Sequence, residues 1–145
     1  MVQSAETDLK PIVSFLKIGA GEPRLEGEKC AKCGAVFVGD RPKVGGLATC
    51  GACGARGTLE VVRLANTGKL YNWTIVQRSF PGAKVPFISA IVDLDGGGSL
   101  RGNLIDVEPT PDAIKFDMPV KVVYGDAGRQ DEDGASYLAY FFAPA

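Results

Sequence analysis

Residues 30–54 read CAKCGAVFVGDRPKVGGLATCGACG and contain all four cysteines of the chain. The cysteines form two CxxC-Gly units, residues 30–34 and 50–54, with sixteen residues between the second and third cysteine. A CxxC turn directs two thiolates at one point, and the glycine after it permits the positive φ with which the backbone curls round a metal ion. The spacing therefore predicts a tetrahedral Cys₄ zinc site. Its ligands are Cys30, Cys33, Cys50 and Cys53.

A closed shell of four thiolates leaves no open position for water, so a zinc ion held there is structural. The segment 24–63 is near the size below which a core cannot stabilise itself, and structural zinc supplies about 10–16 kcal/mol of apparent binding energy. Residues 35–38 read as a strand, 40–42 as a turn and 44–49 as a return strand, which together predict a zinc ribbon. Three alternatives stay open: a pair of redox CxxC motifs, four unrelated buried thiols, and iron in the same shell, as in a rubredoxin-like electron carrier.

Upstream of the ribbon, residues 1–23 are predicted to form a short N-terminal helical segment. Thr7 or Asp8 can cap a helix whose first turn contains Pro11, and the glycine-containing residues 19–21 end it. An apolar stripe at i, i+3 and i+4 spacing supports the helix. The stripe consists of Ile12, Phe15, Leu16 and Ile18.

Downstream of the ribbon the pattern becomes strand-like. Strands are predicted at residues 70–76, 87–94, 100–107, 120–124 and 137–142, with a hairpin at the glycine run 96–98 and a short helical turn at 109–113. Five strands in this length predict an OB-type Greek-key barrel over residues 64–145, with a five-stranded open sheet as the alternative. The fold class is therefore mostly β: a short N-terminal helix, a Cys₄ zinc ribbon (24–63) and a five-stranded barrel.

The composition excludes most catalytic machinery. The chain has no histidine, so a Ser-His-Asp triad, a Cys-His dyad and a His-ligated metal site are impossible. With all four cysteines assigned to metal, no free thiolate remains as a nucleophile, and the paired carboxylates Asp93 and Asp95 fit a solvated hairpin end better than an acid-base pair. The sequence shows no apolar run of 18 residues and no signal peptide, which predicts a cytoplasmic protein without membrane association.

The charge distribution bears on nucleic-acid binding. Residues 24–63 hold seven basic and four acidic residues, whereas residues 93–133 hold four basic and ten acidic ones. An OB-fold that binds nucleic acid needs a basic groove to engage phosphates, so the acidic barrel argues against this function. A single-stranded nucleic-acid-binding OB protein stays the alternative.

Several motifs occur in a recognisable order after the two CxxCG units. They are TGKLYNWT at residues 67–74, PFISAIVDLD at 86–95, GNL at 102–104 and MPVKVVY at 118–124. With them the chain resembles the acyl-CoA-associated OB-fold proteins that carry an N-terminal rubredoxin-like zinc ribbon. The spacer between the CxxCG units is long for that family, and Ala52 stands where many relatives have proline.

The resemblance implies a non-catalytic partner subunit of a sterol-carrier-protein-type thiolase, or of a related acyl-CoA hydratase or acyltransferase. It implies that the catalytic subunit supplies the cysteine nucleophile, and that two large and two small subunits assemble. The implied ligand of the complex is the CoA thioester of a β-oxoacyl group, with an aromatic one such as benzoylsuccinyl-CoA as a concrete candidate. The small chain would stabilise its partner and help to form the CoA or acyl pocket.

Four cations in or beside the barrel strands are candidates for pairing with CoA phosphates: Lys69, Arg78, Lys84 and Arg101. The alternative for each is a solvated charge at a strand end. Residues 79–86 contain two prolines that stiffen the loop, and Phe80 offers an apolar anchor for a protein or acyl-chain contact. This loop could cap the active site of a partner.

Overall fold

The computed structural model describes residues 10–19, 22–39, 43–130, 132 and 134–145, and within these ranges it contains twelve β-strands and no helix. No helix in the described part is long and apolar enough to cross a membrane. The strands of the first half are β1 (Lys10–Pro11), β2 (Leu16–Lys17), β3 (Arg24–Cys30), β4 (Val36–Val38), β5 (Lys43–Val44), β6 (Leu47–Ala48) and β7 (Leu59–Arg63). Those of the second half are β8 (Thr67–Val76), β9 (Phe87–Leu94), β10 (Ser99–Leu104), β11 (Pro119–Gln130) and β12 (Ser136–Pro144).

Strands β8 to β12 form a closed barrel. β8, β9 and β10 are an antiparallel meander, β10 pairs parallel with β12, β12 pairs antiparallel with β11, and β11 returns to β8. The circular order β8-β9-β10-β12-β11 has no free edge, which is the arrangement expected of an OB-fold and excludes the open sheet. The predicted five-stranded barrel is confirmed.

The barrel interior follows from the alternation of apolar residues along its strands. On β9 the even-numbered positions, from Ile88 to Leu94, are buried, whereas Ile91 and Asp93 are exposed. The core is completed by Leu70, Leu100, Leu104, Ile114, Val120, Val122, Leu138 and Phe142. Residues 109–113 form a bend followed by a single turn, in which the Ala113 amide donates to the Thr110 carbonyl at 3.1 Å, and they form no helix.

The predicted N-terminal helix is wrong over the described part of that segment. Lys10 pairs with Tyr137 of β12, the Ile12 amide donates to the Leu138 carbonyl at 3.0 Å, and Leu16 pairs with Leu25 of β3. The apolar spacing that predicted a helical stripe serves a turn between two short strands, because the edges of β12 and β3 supply the backbone hydrogen bonds that a helix would otherwise provide. The predicted caps, Thr7 and Asp8, lie outside the described residues.

The ribbon is built round β3, a strand that the sequence pattern did not predict. β3 pairs with β2 and β4 along one edge and with β7, also unpredicted, along the other. The predicted strand at 35–38 is β4, and the predicted return strand at 44–49 is instead the short hairpin of β5 and β6 with its turn at Gly45 and Gly46. The boundaries 1–23, 24–63 and 64–145 stay predictions.

The glycine run between β9 and β10 is where the ribbon rests on the barrel. A Cβ atom built on Gly97, whose φ is 118°, would lie 2.8 Å from Val36 Cγ2, and one on Gly98 would lie 3.6 Å from both Val36 Cγ1 and Val38 Cγ2. Leu64, which is buried, meets the same tip. The glycines therefore close the hairpin and also let the ribbon approach the barrel backbone.

Candidate metal centre

The two CxxCG units fold into near-identical turns. Gly34 donates its amide to the Cys30 carbonyl at 2.8 Å, and Gly54 donates to the Cys50 carbonyl at 2.9 Å. In each unit the first cysteine donates its own amide to the carbonyl five residues on, at 2.9 and 2.8 Å. Both glycines have a left-handed φ, 80° and 79°, with no atom within 4 Å of a built Cβ, so it is the backbone conformation that requires glycine here.

The four predicted ligands come together. All four sulfur atoms lie within 4.8 Å of one another, with 3.8 Å between Cys30 Sγ and Cys53 Sγ and 3.6 Å between Cys33 Sγ and Cys50 Sγ. A tetrahedral ion with metal–sulfur bonds of about 2.3 Å would separate its ligands by about 3.8 Å. The cluster therefore fits a zinc ribbon and could hold a metal ion.

Sheet pairing and loop hydrogen bonds hold the two turns opposite each other. Cys30 is the last residue of β3, and the next residue, Ala31, donates its amide to the Thr58 carbonyl at 2.8 Å. A bridge between Thr49 and Arg56 closes the base of the second turn. Because β7 follows directly and pairs with β3, the distant turns are aligned by the same sheet.

Local hydrogen bonds favour the thiolate form of the buried sulfurs. The Thr58 hydroxyl lies 3.1 Å from Cys30 Sγ and, together with the backbone N–H of Cys33, lowers the pKa of Cys30 to about 6. The backbone N–H of Cys53 is the main cause that lowers the pKa of Cys50. Since the thiolate is the metal-binding form, the lowered pKa values favour metal binding by Cys30 and Cys50.

The five residues predicted to contact CoA or a partner do not form one pocket. Lys69 lies on β8 opposite Asp93, and Arg101 lies on the outer face of β10. Arg78, Phe80 and Lys84 lie in the connection between β8 and β9, and all three are exposed. Arg101 lines a cavity on the barrel surface, and the other four residues line neither this cavity nor a second one beside Gly97.

Arg101 belongs to a shallow groove of about 560 Å³, which we call the β9–β10 groove. Its lining residues are Val13, Phe15, Val38, Phe87, Ser89, Ser99, Leu100, Arg101, Gly102, Asn103 and Tyr140. The Phe15 and Tyr140 rings lie 5.7 Å apart, and the Tyr140 hydroxyl donates to the Arg101 carbonyl. Burial raises the pKa of Tyr140, which keeps this hydroxyl protonated as a donor.

The groove lies on the face formed by the second and third barrel strands, which is where OB-folds usually bind ligands. Phe15 from the N-terminal segment and Val38 from the ribbon cover one side of it. The sequence pattern placed Phe15 on a helical stripe and Val38 on a ribbon strand. Neither pattern could indicate that these two side chains line the groove on the barrel. Phe15 and Val38 therefore narrow the face on which a single-stranded nucleic acid would have to bind.

Comparison with known proteins agrees with this architecture. Residues 61–125 match the family described as ChsH2, C-terminal OB-fold domain. A DUF35 domain-containing scaffold protein of Methanothermobacter thermautotrophicus is 27% identical over 122 residues, covering 83% of this chain and 86% of that protein. Benzoylsuccinyl-CoA thiolase subunit BbsA of Thauera aromatica is 31% identical over 120 residues, covering 83% of this chain and 76% of that protein. The chain belongs to the DUF35 family.

The chain is also similar in three-dimensional structure to a solved DUF35 protein. The structure titled Ltp2-ChsH2(DUF35) aldolase superposes with a TM-score of 0.60 at 27% identity, covering 83% of this chain and 84% of that chain. The family resemblance drawn from the sequence motifs is thus confirmed. The proteins that it resembles are named as a scaffold, a thiolase subunit and a component of an aldolase.

Proposed function

We propose that this DUF35 chain is a non-catalytic subunit of a thiolase-like complex that acts on a β-oxoacyl-CoA. The observation that supports it most is the similarity to thiolase subunit BbsA, whose alignment of 120 residues is longer than the barrel and so includes part of the ribbon. The chain would stabilise the catalytic subunit and help to form the CoA or acyl pocket. Two large and two small subunits in the cytoplasm are the proposed assembly and location.

The chemistry of the described residues favours a non-catalytic role for this chain. The cysteines, which are the strongest nucleophiles of the chain, all lie in one cluster, and the sequence has no histidine to act as a base. We assign zinc to the cluster because an all-thiolate tetrahedral set suits zinc and leaves no position open for substrate. The carbon–carbon bond would then be formed or cleaved by a nucleophile of the partner.

The β9–β10 groove is the proposed place where this chain meets the acyl-CoA or its partner. Arg101 supplies a cation on the outer face of β10, and Ser89 and Asn103 supply polar groups beside it. Lys69 stands on the same side of the sheet but faces Asp93, so its charge is partly balanced. A single guanidinium among apolar side chains suits one phosphate or carboxylate better than a nucleic-acid backbone.

Co-expression with a thiolase-like catalytic subunit, which we expect to be encoded beside this chain, tests the proposal. We expect the two to elute together in size exclusion at a mass of two plus two subunits, with one zinc per small chain by metal analysis, and thiolysis of benzoylsuccinyl-CoA only when both are present. Separate elution, together with unchanged thiolase activity in the absence of this chain, would contradict the proposal.

The same preparation distinguishes the alternatives. Activity of the co-eluting complex in hydration or acyl transfer, and not in thiolysis, would indicate a hydratase or an acyltransferase as the partner enzyme. A red protein with thiolate-to-iron absorption would indicate electron transfer. Micromolar binding to single-stranded DNA that weakens steeply with salt would favour a nucleic-acid-binding function.

A further inference from the structure

The connection between β8 and β9, residues 77–86, presents the most exposed large apolar side chain of the described structure. We call this connection the anchor loop. Phe80 is 86% exposed, and Val85 in the same loop is 42% exposed. An aromatic side chain left almost entirely in water has no part in the core, and burying it against a partner would recover its full apolar area.

The backbone of the anchor loop holds Phe80 in a defined turn. Ala83 donates its amide to the Phe80 carbonyl at 3.1 Å, and Gly82 has a φ of 89°. With Pro81 at the second position and a left-handed glycine at the third, residues 80–83 have the features of a type II turn. A side chain presented by such a turn loses less conformational entropy on binding than one presented by a mobile loop.

The charges of the anchor loop have one sign. Arg78 and Lys84 are exposed, neither forms an ion pair with another described residue, and no acidic residue occurs from 77 to 92. Such a loop would be repelled by a basic surface and attracted to an acidic one. The complementary surface therefore carries carboxylates round an apolar centre.

The shape of the anchor loop decides between a small molecule and a protein as the occupant. Neither the β9–β10 groove nor the second cavity, beside Gly97, is lined by any residue from 77 to 86. Small molecules are enclosed by concave sites, whereas this loop offers a projecting side chain. The loop is therefore suited to insert this side chain into a pocket of another protein.

We propose that Phe80 is the anchor by which this chain docks on its catalytic subunit, inserting into an apolar pocket that is edged by carboxylates. This inference rests on the proposed function, because it takes the thiolase-like subunit as the partner. Arg78 and Lys84 pair with the rim of the pocket. Phe87, the residue directly after the loop, lines the β9–β10 groove, so the proposed contact lies close to that groove.

The test measures the dissociation constant between the full-length chain and the purified thiolase-like subunit that co-elutes with it. We expect Phe80→Ala to weaken binding at least about 30-fold, as truncation of a central aromatic anchor does. Lys84→Glu should slow association about tenfold and reduce its salt dependence. Phe116→Ala is the matched control, since Phe116 is another exposed phenylalanine, at 65%, outside the anchor loop. It should bind like the parent chain.

The outcomes separate the inference from the function on which it rests. If the parent chain binds and Phe80→Ala binds within twofold of it, the anchor is wrong while the partner-subunit function stands. Equal weakening in Phe80→Ala and Phe116→Ala also contradicts the anchor, because the loss would then not belong to the loop. If the parent chain itself does not bind, the proposed function fails. A Lys84→Glu chain that alters only the KM for CoA would assign the loop to CoA and overturn the inference.

Discussion

At the scale of single residues, Thr58 is the side chain that most directly supports the metal ligands. Its hydroxyl contacts Cys30 Sγ at 3.1 Å, and outer-shell hydrogen bonds of this kind orient a ligand and favour its deprotonated form. We expect Thr58→Val to lower zinc affinity about tenfold, measured by competition with a chromogenic chelator. Thr58→Ser keeps the hydroxyl and should bind zinc like the parent chain. Equal affinity in all three proteins would show that the hydrogen bond has no effect on the metal.

Gly102 is a second position where one atom decides stability. A Cβ built there would lie 2.8 Å from Tyr140 Cε2 and 2.9 Å from Phe142 Cε2, so the two rings occupy the space of a methyl group. We expect Gly102→Ala to lower the free energy of unfolding by about 1–3 kcal/mol in urea titrations, because the partly buried Tyr140 ring and the buried Phe142 ring must shift. Gly125→Ala, whose Cβ would meet nothing closer than 3.6 Å, should be neutral or stabilising. A neutral Gly102→Ala would mean that the rings move without cost.

At the scale of elements, the β9–β10 hairpin tip joins the two halves of the fold. Gly96 and Gly97 both have positive φ, but a Cβ meets open space at Gly96 and Val36 Cγ2, at 2.8 Å, at Gly97. Alanine at either position strains the backbone by about 1 kcal/mol, whereas only alanine at Gly97 pushes against the ribbon.

We therefore expect Gly97→Ala to speed hydrogen exchange in β4 and to release the metal to a chelator faster than the parent chain does. Gly96→Ala serves as the control for backbone strain and should leave both rates nearly unchanged. The same effect in both variants would trace the change to the hairpin backbone and not to contact with the ribbon.

At the scale of the whole molecule, the ribbon and the barrel depend on different sources of stability. The apolar core lies mainly in the barrel and reaches the ribbon at Leu25, whereas the end of the ribbon that carries the cysteines relies on four thiolates that a metal would join. We expect metal removal by a strong chelator to raise hydrogen exchange throughout residues 24–63 and at the tip 95–98. Strands β9 and β11 should stay protected, and restoring zinc should reverse the change. Loss of protection in the barrel at the same chelator concentration would show that the two parts unfold together.

The sequence by itself determined the cysteine cluster and the barrel. Each CxxCG unit is a local turn, because the Gly34 amide donates to the Cys30 carbonyl within the unit itself, and contacts such as that of Thr58 only add to it. The five barrel strands could also be predicted from local sequence, because the alternation of apolar and polar residues along a strand such as β9 indicates which side chains face the interior. The family followed from these motifs and their order.

The tertiary structure alone decided where the N-terminal segment lies and which residues form the grooves. Phe15 and Leu16 have helical spacing, yet β12 and β3 supply the backbone partners with which the segment forms two short strands. β3 could not be predicted from the sequence, because its charged residues and glycine are not typical of a strand. It is stabilised by pairing with other strands on both edges. The periodicity of apolar residues indicates which side of a strand or helix is buried. Which strand pairs with it, and which surface covers it, depends on contacts between residues far apart in the chain.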